Sequence, residues 1–140
     1  MKIDGVTLVS GVADGPVFAL AEPLSFWGGF DAATGKVIDR RHPDLGRCLT
    51  DVVVVVSAAR GSSSGSSVLA EAIRAGTAPA AFVISTRDAI LQVGAMVAAE
   101  LYGRSCPIIV VGAPALSRVA KCARVRISAG DTAGVVEALE

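Results

Sequence analysis

The run of five valines at residues 52–56, within DVVVVVS, constrains the fold more than any other stretch of the sequence. A continuous apolar run without alternation is typical of a strand that is buried on both faces at the centre of a sheet. RGSSSGSS follows it directly, and SSVLAEAIRAG then carries an apolar stripe of helical spacing that ends at Gly76. The stretch therefore predicts a central strand, a loop rich in glycine and serine, and a helix over 64–76.

The other segments extend this unit into an α/β fold. AAFVIS and CPIIVVG predict two more strands, separated by a helix in DAILQVGAMVAAELYG that begins at an Asp88 cap and ends at Gly103. KIDGVTLVSG, PVFALAE, KVID and ARVRIS predict shorter strands, and residues 114–121 a short helix. In 140 residues without an internal repeat, we expect a single domain over 1–140, with a mixed sheet around a central, parallel β-α-β-α-β unit.

Charge and hydropathy exclude several classes of function. Lys and Arg total 13, as do Asp and Glu, so no basic excess favours nucleic acid or an anionic membrane surface. No apolar run reaches the ~18 residues of a membrane span, and Asp4 interrupts the segment where a secretory signal would be apolar. Cys48, Cys106 and Cys122 form no C-x-x-C pair, so we expect free thiols, no metal site in this chain and a cytoplasmic location.

RGSSSGSS, residues 60–67, allows three interpretations, of which two are disfavoured. A flexible linker needs a folded unit on each side, whereas this segment joins a buried strand directly to a helix. Residues 61–65 also match G-x-S-x-G, the nucleophile turn of serine hydrolases, whose chemistry needs an acid and then a histidine after the serine. The only histidine, His42, precedes the loop, and we expect it to be structural or on the surface.

The third interpretation is an anion-binding loop. Gly61 and Gly65 would let the backbone approach a ligand closely, and the following helix would offer unpaired N–H groups at the positive end of its dipole. Arg60 could pair with a carboxylate or a phosphate. Because the lysine of a nucleotide-binding P-loop is missing, the pattern favours a carboxylate. Helix capping by the hydroxyls of residues 62–64 is the structural alternative, and spacing alone does not decide between the two.

Three segments give the chain a resemblance to a known family. In this order, GPVFALAEPLSFWGGFDAATGKVIDRRHP, RGSSSGSSVLAEAIRAGTAPAAFVIS and ILQVGAMVAAELYG resemble the small, or swivel, part of aconitase X, a branch of the aconitase superfamily. The similarity extends over residues 5–112, and the remainder is less diagnostic. The resemblance implies a swivelling β/β/α domain that closes over a larger catalytic part, either fused to it or on a separate chain.

The same resemblance implies a hydro-lyase that removes water from a small hydroxy acid. The family's substrates are cis-3-hydroxy-L-proline and phosphomevalonate, and the form of the motifs favours the former. This chain would be a separate small subunit, inactive alone, in a heterodimer or higher assembly with a large subunit whose cysteines hold iron or an iron–sulfur cluster. The alternative from another class is a non-catalytic module that binds or senses a small molecule.

The resemblance also implies roles for individual residues. Ser62 matches the superfamily's serine base, which takes the proton α to the carboxylate while a Lewis-acid metal draws off the hydroxyl. A lone serine is a weak base, so Arg60, the helix N-terminus and exclusion of water would have to activate it. Residues expected to bind substrate are Arg60, Gly61, Ser63, Ser64, Gly65 and Ser66, and those expected at the active-site mouth are Gly28, Gly29 and Asp31. Two alternatives stay open: Ser62 as a simple N-cap, and Phe26, Trp27 and Phe30 as anchors of a long loop rather than as part of the mouth.

Overall fold

The computed structural model describes residues 1–139, in which seven of nine strands close into a barrel. The strands are β1 (Lys2–Val9), β2 (Gly11–Ala19), β3 (Phe30–Asp31), β4 (Lys36–Val37), β5 (Val53–Val55), β6 (Ala81–Ile84), β7 (Ile108–Val110), β8 (Arg124–Ala129) and β9 (Ala133–Leu139). The helices are α1 (Phe26–Gly29), α2 (Gly65–Ala75), α3 (Ala89–Tyr102) and α4 (Ala113–Ala120). α1 is a single turn, with non-helical backbone angles at Trp27 and Gly28.

The barrel combines a parallel half with an antiparallel half. Its order is β1-β7-β6-β5-β2-β8-β9, and β9 pairs with β1 to close it. β2, β5, β6 and β7 are mutually parallel neighbours, whereas β1, β8 and β9 join through antiparallel pairs. β3 and β4 form a separate hairpin. The predicted α/β class, the mixed sheet and the parallel β5-α2-β6-α3-β7 unit are confirmed.

The valine run lies between two apolar layers, as the sequence predicts. Val53 and Val55 point into the barrel with Val83, whereas Val54 points outward to the layer under α2 and α3. Val53 and Val54 are 0% exposed and Val55 is 3% exposed. Side chains alternate across a strand, so a strand with apolar partners on both faces needs an unbroken apolar sequence.

The helix ends follow the predicted residues closely. Asp88 caps α3, with Oδ1 accepting a hydrogen bond from the Leu91 N–H at 3.0 Å. Gly76 and Gly103 end α2 and α3 in the left-handed conformation, at φ 81° and 63°, which glycine adopts without steric cost. The longest helix, α3, has 14 residues, and among residues 1–139 no helix is long and apolar enough to cross a membrane.

Some elements were absent from the sequence-based prediction or were displaced in it. β9 was missed, and β2 begins at Gly11 rather than within PVFALAE. β9 has few bulky residues and is defined by its pairing with β8 and β1, at both of its edges. Its pairing with β8 is a local hairpin, but its pairing with β1 joins residues more than 120 positions apart and leaves little local signal. The hairpin strand β3 and the turn α1 were missed for a similar reason, since each has only two to four residues.

Candidate active site

The loop between β5 and α2 lies at the carboxyl ends of the parallel strands. Since β2, β5 and β6 are parallel neighbours, the segments 20–25, 56–64 and 85–88 that follow them leave the barrel at the same edge. Parallel α/β sheets bind their ligands at this edge. The Ser57 carbonyl accepts hydrogen bonds from the N–H groups of Ser85 and Thr86, both at 3.1 Å, and so joins two of these segments.

The two sequence motifs meet at Gly61 and Gly65. Ser25 and Arg60 form a parallel β-bridge, and a Cβ on Gly61, whose φ is 89°, would collide with the Ser25 side chain. A Cβ on Gly65 would lie 3.3 Å from the Phe26 Cβ, tighter than an ordinary van der Waals contact. The PLSFWGG segment and the serine loop therefore form adjacent walls of one site, and the two glycines permit the close approach.

Ser62 begins the helical turn that leads into α2. Its carbonyl accepts a hydrogen bond from the Gly65 N–H at 3.0 Å, and its Oγ accepts one from the Ser64 N–H at 3.1 Å. The residue is exposed. Ser62 thus caps the turn that precedes α2 rather than the helix itself, whose N-cap is Ser64 without a side-chain hydrogen bond, and Ser62 is exposed to a ligand. The capping alternative and the role of base are compatible in this position.

The backbone N–H groups that are available to bind a ligand lie earlier in the chain than the sequence analysis predicted. The N–H groups of Gly65, Ser66 and Ser67 are not unpaired, because they donate to the carbonyls of residues 62–64 at 3.0–3.1 Å. The helical hydrogen bonding starts with this preceding turn, so the positive end of the dipole shifts toward Ser62. Within residues 1–139, the hydrogen bonds of the structure leave the N–H groups of residues 61–63 unused. These are the donors that could face an anion.

The other loop serines differ in their surroundings. Ser63 and Ser64 are exposed, and their hydroxyls lie on the accessible side of the turn. The Ser66 Oγ, in contrast, donates to the Ile90 carbonyl at 2.8 Å and so fixes the start of α2 to the start of α3. A structural hydrogen bond therefore occupies the Ser66 hydroxyl, and its predicted contact with substrate stays a prediction.

Arg60 is held between two carboxylates of its own chain. Its Nη2 lies 3.1 Å from Glu22 Oε1 and 3.8 Å from Asp39 Oδ2, and the side chain is 45% exposed. The sequence prediction missed Glu22 and Asp39, which lie 38 and 21 positions away and meet Arg60 only in the fold. The guanidinium has further N–H groups, so it could contact an anion without leaving Glu22. Its role in substrate binding stays a prediction.

The segment expected at the mouth divides into buried anchors and an exposed rim. Phe26 and Phe30 are 2% and 3% exposed, with ring centroids 5.0 Å apart, whereas Trp27 is 59% exposed. Gly28 is exposed at φ 79°, next to Trp27, and Gly29 is buried. The two phenylalanines thus anchor the segment to the core, as the structural alternative predicted, and Trp27 projects beside the serine loop.

Asp31 has a structural role in the hairpin between β3 and β4. Its Oδ1 accepts from the Ala33 N–H at 3.0 Å and its Oδ2 from the Thr34 hydroxyl at 2.9 Å, while the Gly35 N–H donates to the Asp31 carbonyl at 2.8 Å. These bonds account for the D-x-x-T-G pattern as an Asx turn. Contact of Asp31 with a substrate is not needed to explain the pattern.

His42 is buried and structural. The Asp44 N–H donates to Nδ1 at 3.0 Å, so Nε2 carries the proton and donates to the Glu22 carbonyl at 2.9 Å. Neither ring nitrogen bonds a serine, so the G-x-S-x-G match acquires no histidine partner. The ring instead fixes the main chain of Glu22, whose carboxylate pairs with Arg60.

The three cysteine thiols lie far apart in the sequence and differ in burial. All three are free. Burial raises the pKa of the Cys106 thiol to about 12, whereas hydrogen bonds with Thr50 lower the pKa of the exposed Cys48. Within residues 1–139, no three side chains of the His, Cys, Asp and Glu types lie close enough together to hold a metal ion. The His, Cys, Asp and Glu side chains of residues 1–139 therefore do not form an iron site by themselves.

Comparisons with known proteins support the family resemblance that the two sequence motifs indicate. Residues 2–138 match the family described as the aconitase X swivel domain. The chain is 49% identical over 106 residues to a cis-3-hydroxy-L-proline dehydratase of Pseudomonas aeruginosa, covering 76% of this chain and 18% of that protein. It is 39% identical over 98 residues to a phosphomevalonate dehydratase small subunit of Methanothermobacter thermautotrophicus, covering 70% and 75%. The chain spans about a fifth of the length of the cis-3-hydroxy-L-proline dehydratases that it matches.

A solved structure gives the same answer for the fold. The crystal structure of the holo-form of Thermococcus kodakaraensis aconitase X matches with a TM-score of 0.83 at 30% identity, and the alignment covers 100% of this chain and 99% of that one. The predicted resemblance and the swivel fold are confirmed. With a family match from residue 2 to residue 138 and the same fold over its full described length, the chain belongs to the aconitase X swivel domain family.

Proposed function

We propose that this chain is the small subunit of a dehydratase that removes water from cis-3-hydroxy-L-proline, and that it contributes Ser62 and the loop 60–66 to an active site shared with a large subunit. The relative of 49% identity carries that activity. Because the matched region is about a fifth of such proteins, most of the active site would lie outside that region, and we assign it to a large subunit. We expect the chain to be inactive alone.

One observation carries this proposal: the serine loop is held firmly but is open to solvent. Hydrogen bonds and glycine contacts fix it to the PLSFWGG segment and to α3, yet residues 61–64 are all exposed. A preorganised polar loop at the ligand-binding edge of a parallel sheet is suited to reaction only when another surface covers it and excludes water. A large subunit would supply that surface.

Ser62 would act as the base in an elimination. A group outside this chain first takes the proton of the Ser62 hydroxyl. The Oγ alkoxide then takes the proton from the carbon α to the carboxylate, the C–H electron pair forms the new double bond, and the β-hydroxyl leaves as water after protonation by a group outside this chain. The Ser64 N–H, 3.1 Å from Oγ, donates a hydrogen bond that favours the charged form of the oxygen. The positive end of the α2 dipole acts in the same direction.

The substrate carboxylate would bind the unused N–H groups of residues 61–63. These donors belong to Ser62 and its two neighbours, so a carboxylate bound there holds its α-carbon near Oγ. Arg60 adds a positive charge at the entrance, but Glu22 at 3.1 Å and Asp39 at 3.8 Å offset it, so the N–H groups are the main donors to the anion. The loop thus combines anion binding and proton abstraction in seven consecutive residues.

We infer that the large subunit supplies most ligands of the iron or iron–sulfur cluster expected of the family, since residues 1–139 bring no three such side chains together. The steps assigned to this chain are accordingly limited to binding, orientation and proton abstraction. Iron analysis of the separated subunits tests this placement. Iron that copurifies with the small subunit at one equivalent would contradict it.

A second candidate substrate is phosphomevalonate. The chain covers 75% of the small subunit of 39% identity that takes part in that reaction, whereas it covers 18% of the hydroxyproline enzyme. The larger share of the matched protein favours phosphomevalonate, and the higher identity favours hydroxyproline. The same N–H groups would accept either a carboxylate or a phosphate, so the loop alone does not separate the two substrates.

Reconstitution tests the proposal. The purified chain, the large subunit of the same organism and their mixture are assayed with cis-3-hydroxy-L-proline and with phosphomevalonate. We expect turnover of cis-3-hydroxy-L-proline by the mixture only. Turnover by this chain alone contradicts the shared site, turnover of phosphomevalonate selects the second substrate, and ligand binding without turnover in the mixture selects the non-catalytic module.

A further inference from the structure

We propose that Asp88 is a positioning residue that holds Ser62 in the geometry needed for proton abstraction. This proposal rests on the function proposed for Ser62. In the sequence, Asp88 lies 26 residues after Ser62 and is only the cap of α3. In the fold, its carboxylate also contacts the strand end from which the serine loop starts.

The carboxylate of Asp88 joins two segments of the chain. Its Oδ1 accepts the Leu91 N–H at 3.0 Å, and its Oδ2 accepts the Ala59 N–H at 2.6 Å. Asp88 is 7% exposed, and within residues 1–139 it and His42 are the polar or charged residues among the buried side chains. Burial of a carboxylate is costly unless its oxygens are hydrogen-bonded, and here both oxygens have an N–H partner.

Capping of α3 explains only one of these two bonds. An N-cap needs a single side-chain oxygen, which serine or threonine supplies as well as aspartate. The second oxygen bonds Ala59, which lies outside α3 and three residues before Ser62. The use of a two-oxygen side chain at a buried cap therefore points to a requirement of the loop rather than of the helix.

The far end of the loop is tied to the same part of α3. The Ser66 Oγ donates to the Ile90 carbonyl at 2.8 Å, so bonds to residues 88 and 90 hold the loop at positions 59 and 66. Ser62 lies between these two attachments. If the Ala59 bond is lost, only the attachment at residue 66 fixes the loop to α3, and Ser62 gains freedom relative to the substrate.

The variant Asp88→Ser separates the cap from the loop bond. Its single oxygen can accept the Leu91 N–H but cannot also reach Ala59. We expect the reconstituted enzyme to lose roughly 10- to 100-fold in kcat, as is typical when a catalytic group is displaced by about 1 Å, with less than a twofold change in KM. The melting temperature should stay close to that of the wild type.

Gly103→Ala provides the matched control. It strains the other end of α3, where φ is 63° and a Cβ would meet nothing within 4 Å, and it does not touch the loop. We expect this variant to lose stability and to keep the wild-type kcat. If Gly103→Ala lowers kcat as much as Asp88→Ser does, the effect belongs to α3 stability and the proposal is wrong.

A double-mutant cycle and hydrogen exchange identify the target of Asp88. In a Ser62→Ala background, Asp88→Ser should cause no further loss of kcat, because residues that act through one another are not additive. In the chain itself, Asp88→Ser should speed amide exchange at Ala59 and leave it unchanged at Leu91. A full additional loss in the Ser62→Ala background, or unchanged exchange at Ala59, overturns the role of Asp88 alone. Full activity of Ser62→Ala by itself overturns the proposed base, and the role of Asp88 with it.

Discussion

At the scale of single residues, glycines decide how closely the two walls of the site approach. Gly61 combines a φ of 89° with contact to Ser25, so it is constrained both by its backbone and by its neighbour. Gly46 has the same φ, but a Cβ there would meet nothing within 4 Å. A comparison of alanine variants at these two glycines therefore separates the effect of backbone strain from the effect of displacing the loop.

We predict that Gly61→Ala lowers the kcat of the reconstituted dehydratase by roughly 100-fold, because the new methyl group pushes the loop off Ser25. Gly46→Ala should lose about 1–2 kcal/mol of stability to left-handed strain and keep its turnover. Steady-state kinetics and urea unfolding of both variants check this. Equal kcat values for the two variants would show that the contact with Ser25 does not position the loop.

The buried thiol of Cys106 makes the free energy of unfolding depend on pH in the alkaline range. Its folded pKa, about 12, lies above the ordinary thiol value of 9.0, so the folded state keeps a proton that the unfolded state releases. The free energy of unfolding therefore falls as the pH rises above 9, by up to about 1.4 kcal/mol per pH unit, until the folded thiol also ionises near pH 12.

This dependence can be isolated with Cys106→Ala. Between pH 8 and pH 10, the wild type should lose about 1.4 kcal/mol more in free energy of unfolding than the variant does, whatever the other groups contribute. Urea titrations at the two pH values measure the difference. Parallel losses in both proteins would mean that the Cys106 thiol ionises normally in the folded state.

At the scale of elements, the distance between α2 and α3 fixes the start of α2 and hence the loop. Gly94 in α3 faces this contact, since a Cβ there would lie 2.8 Å from the Ser66 carbonyl oxygen and 3.1 Å from the Leu69 Cβ. The first of these atoms is backbone and cannot rotate away. Small residues at this point of α3 therefore allow the two helices to pack closely.

We predict that Gly94→Ala destabilises the fold by about 1–2 kcal/mol, because overpacking outweighs the gain in helix propensity. It should also lower kcat, since Ser66 and the loop move with α2. Val93→Ala, on the exposed side of the same helix where Val93 is 48% exposed, should change stability by less than about 0.5 kcal/mol. A more stable Gly94→Ala protein would contradict the close contact of the helices.

The elements also show what the sequence can and cannot predict. The valine strand, the Asp88 cap and the glycine ends of α2 and α3 were predictable because each depends on local patterns. The barrel closure depends on pairing between β1 and β9, whose residues are more than 100 positions apart. The site follows the same division: the serine loop was visible in the sequence, while Glu22, Asp39 and the second bond of Asp88 appear only in the fold.

At the scale of the whole molecule, the residues of the proposed site lie together at one edge of the barrel. The three segments that follow parallel strands converge there, joined by bonds from Ser57, Arg60 and Asp88. Ser62, Ser63 and Ser64 at this edge are exposed, and the matched dehydratases are about five times as long as the aligned region. With the function proposed above, the chain would carry part of an active site that is completed when a large subunit covers the loop.

The most direct test of this account is the kcat of the reconstituted enzyme with Ser62→Ala, beside Ser67→Ala as an exposed serine of α2 outside the proposed site. The account predicts that Ser62→Ala lowers kcat by roughly 10²- to 10⁴-fold, the usual contribution of a general base, while Ser67→Ala stays within twofold of the wild type. Binding of the substrate to the Ser62→Ala complex should be retained, since the N–H groups of residues 61–63 remain. Wild-type turnover by Ser62→Ala would contradict the account.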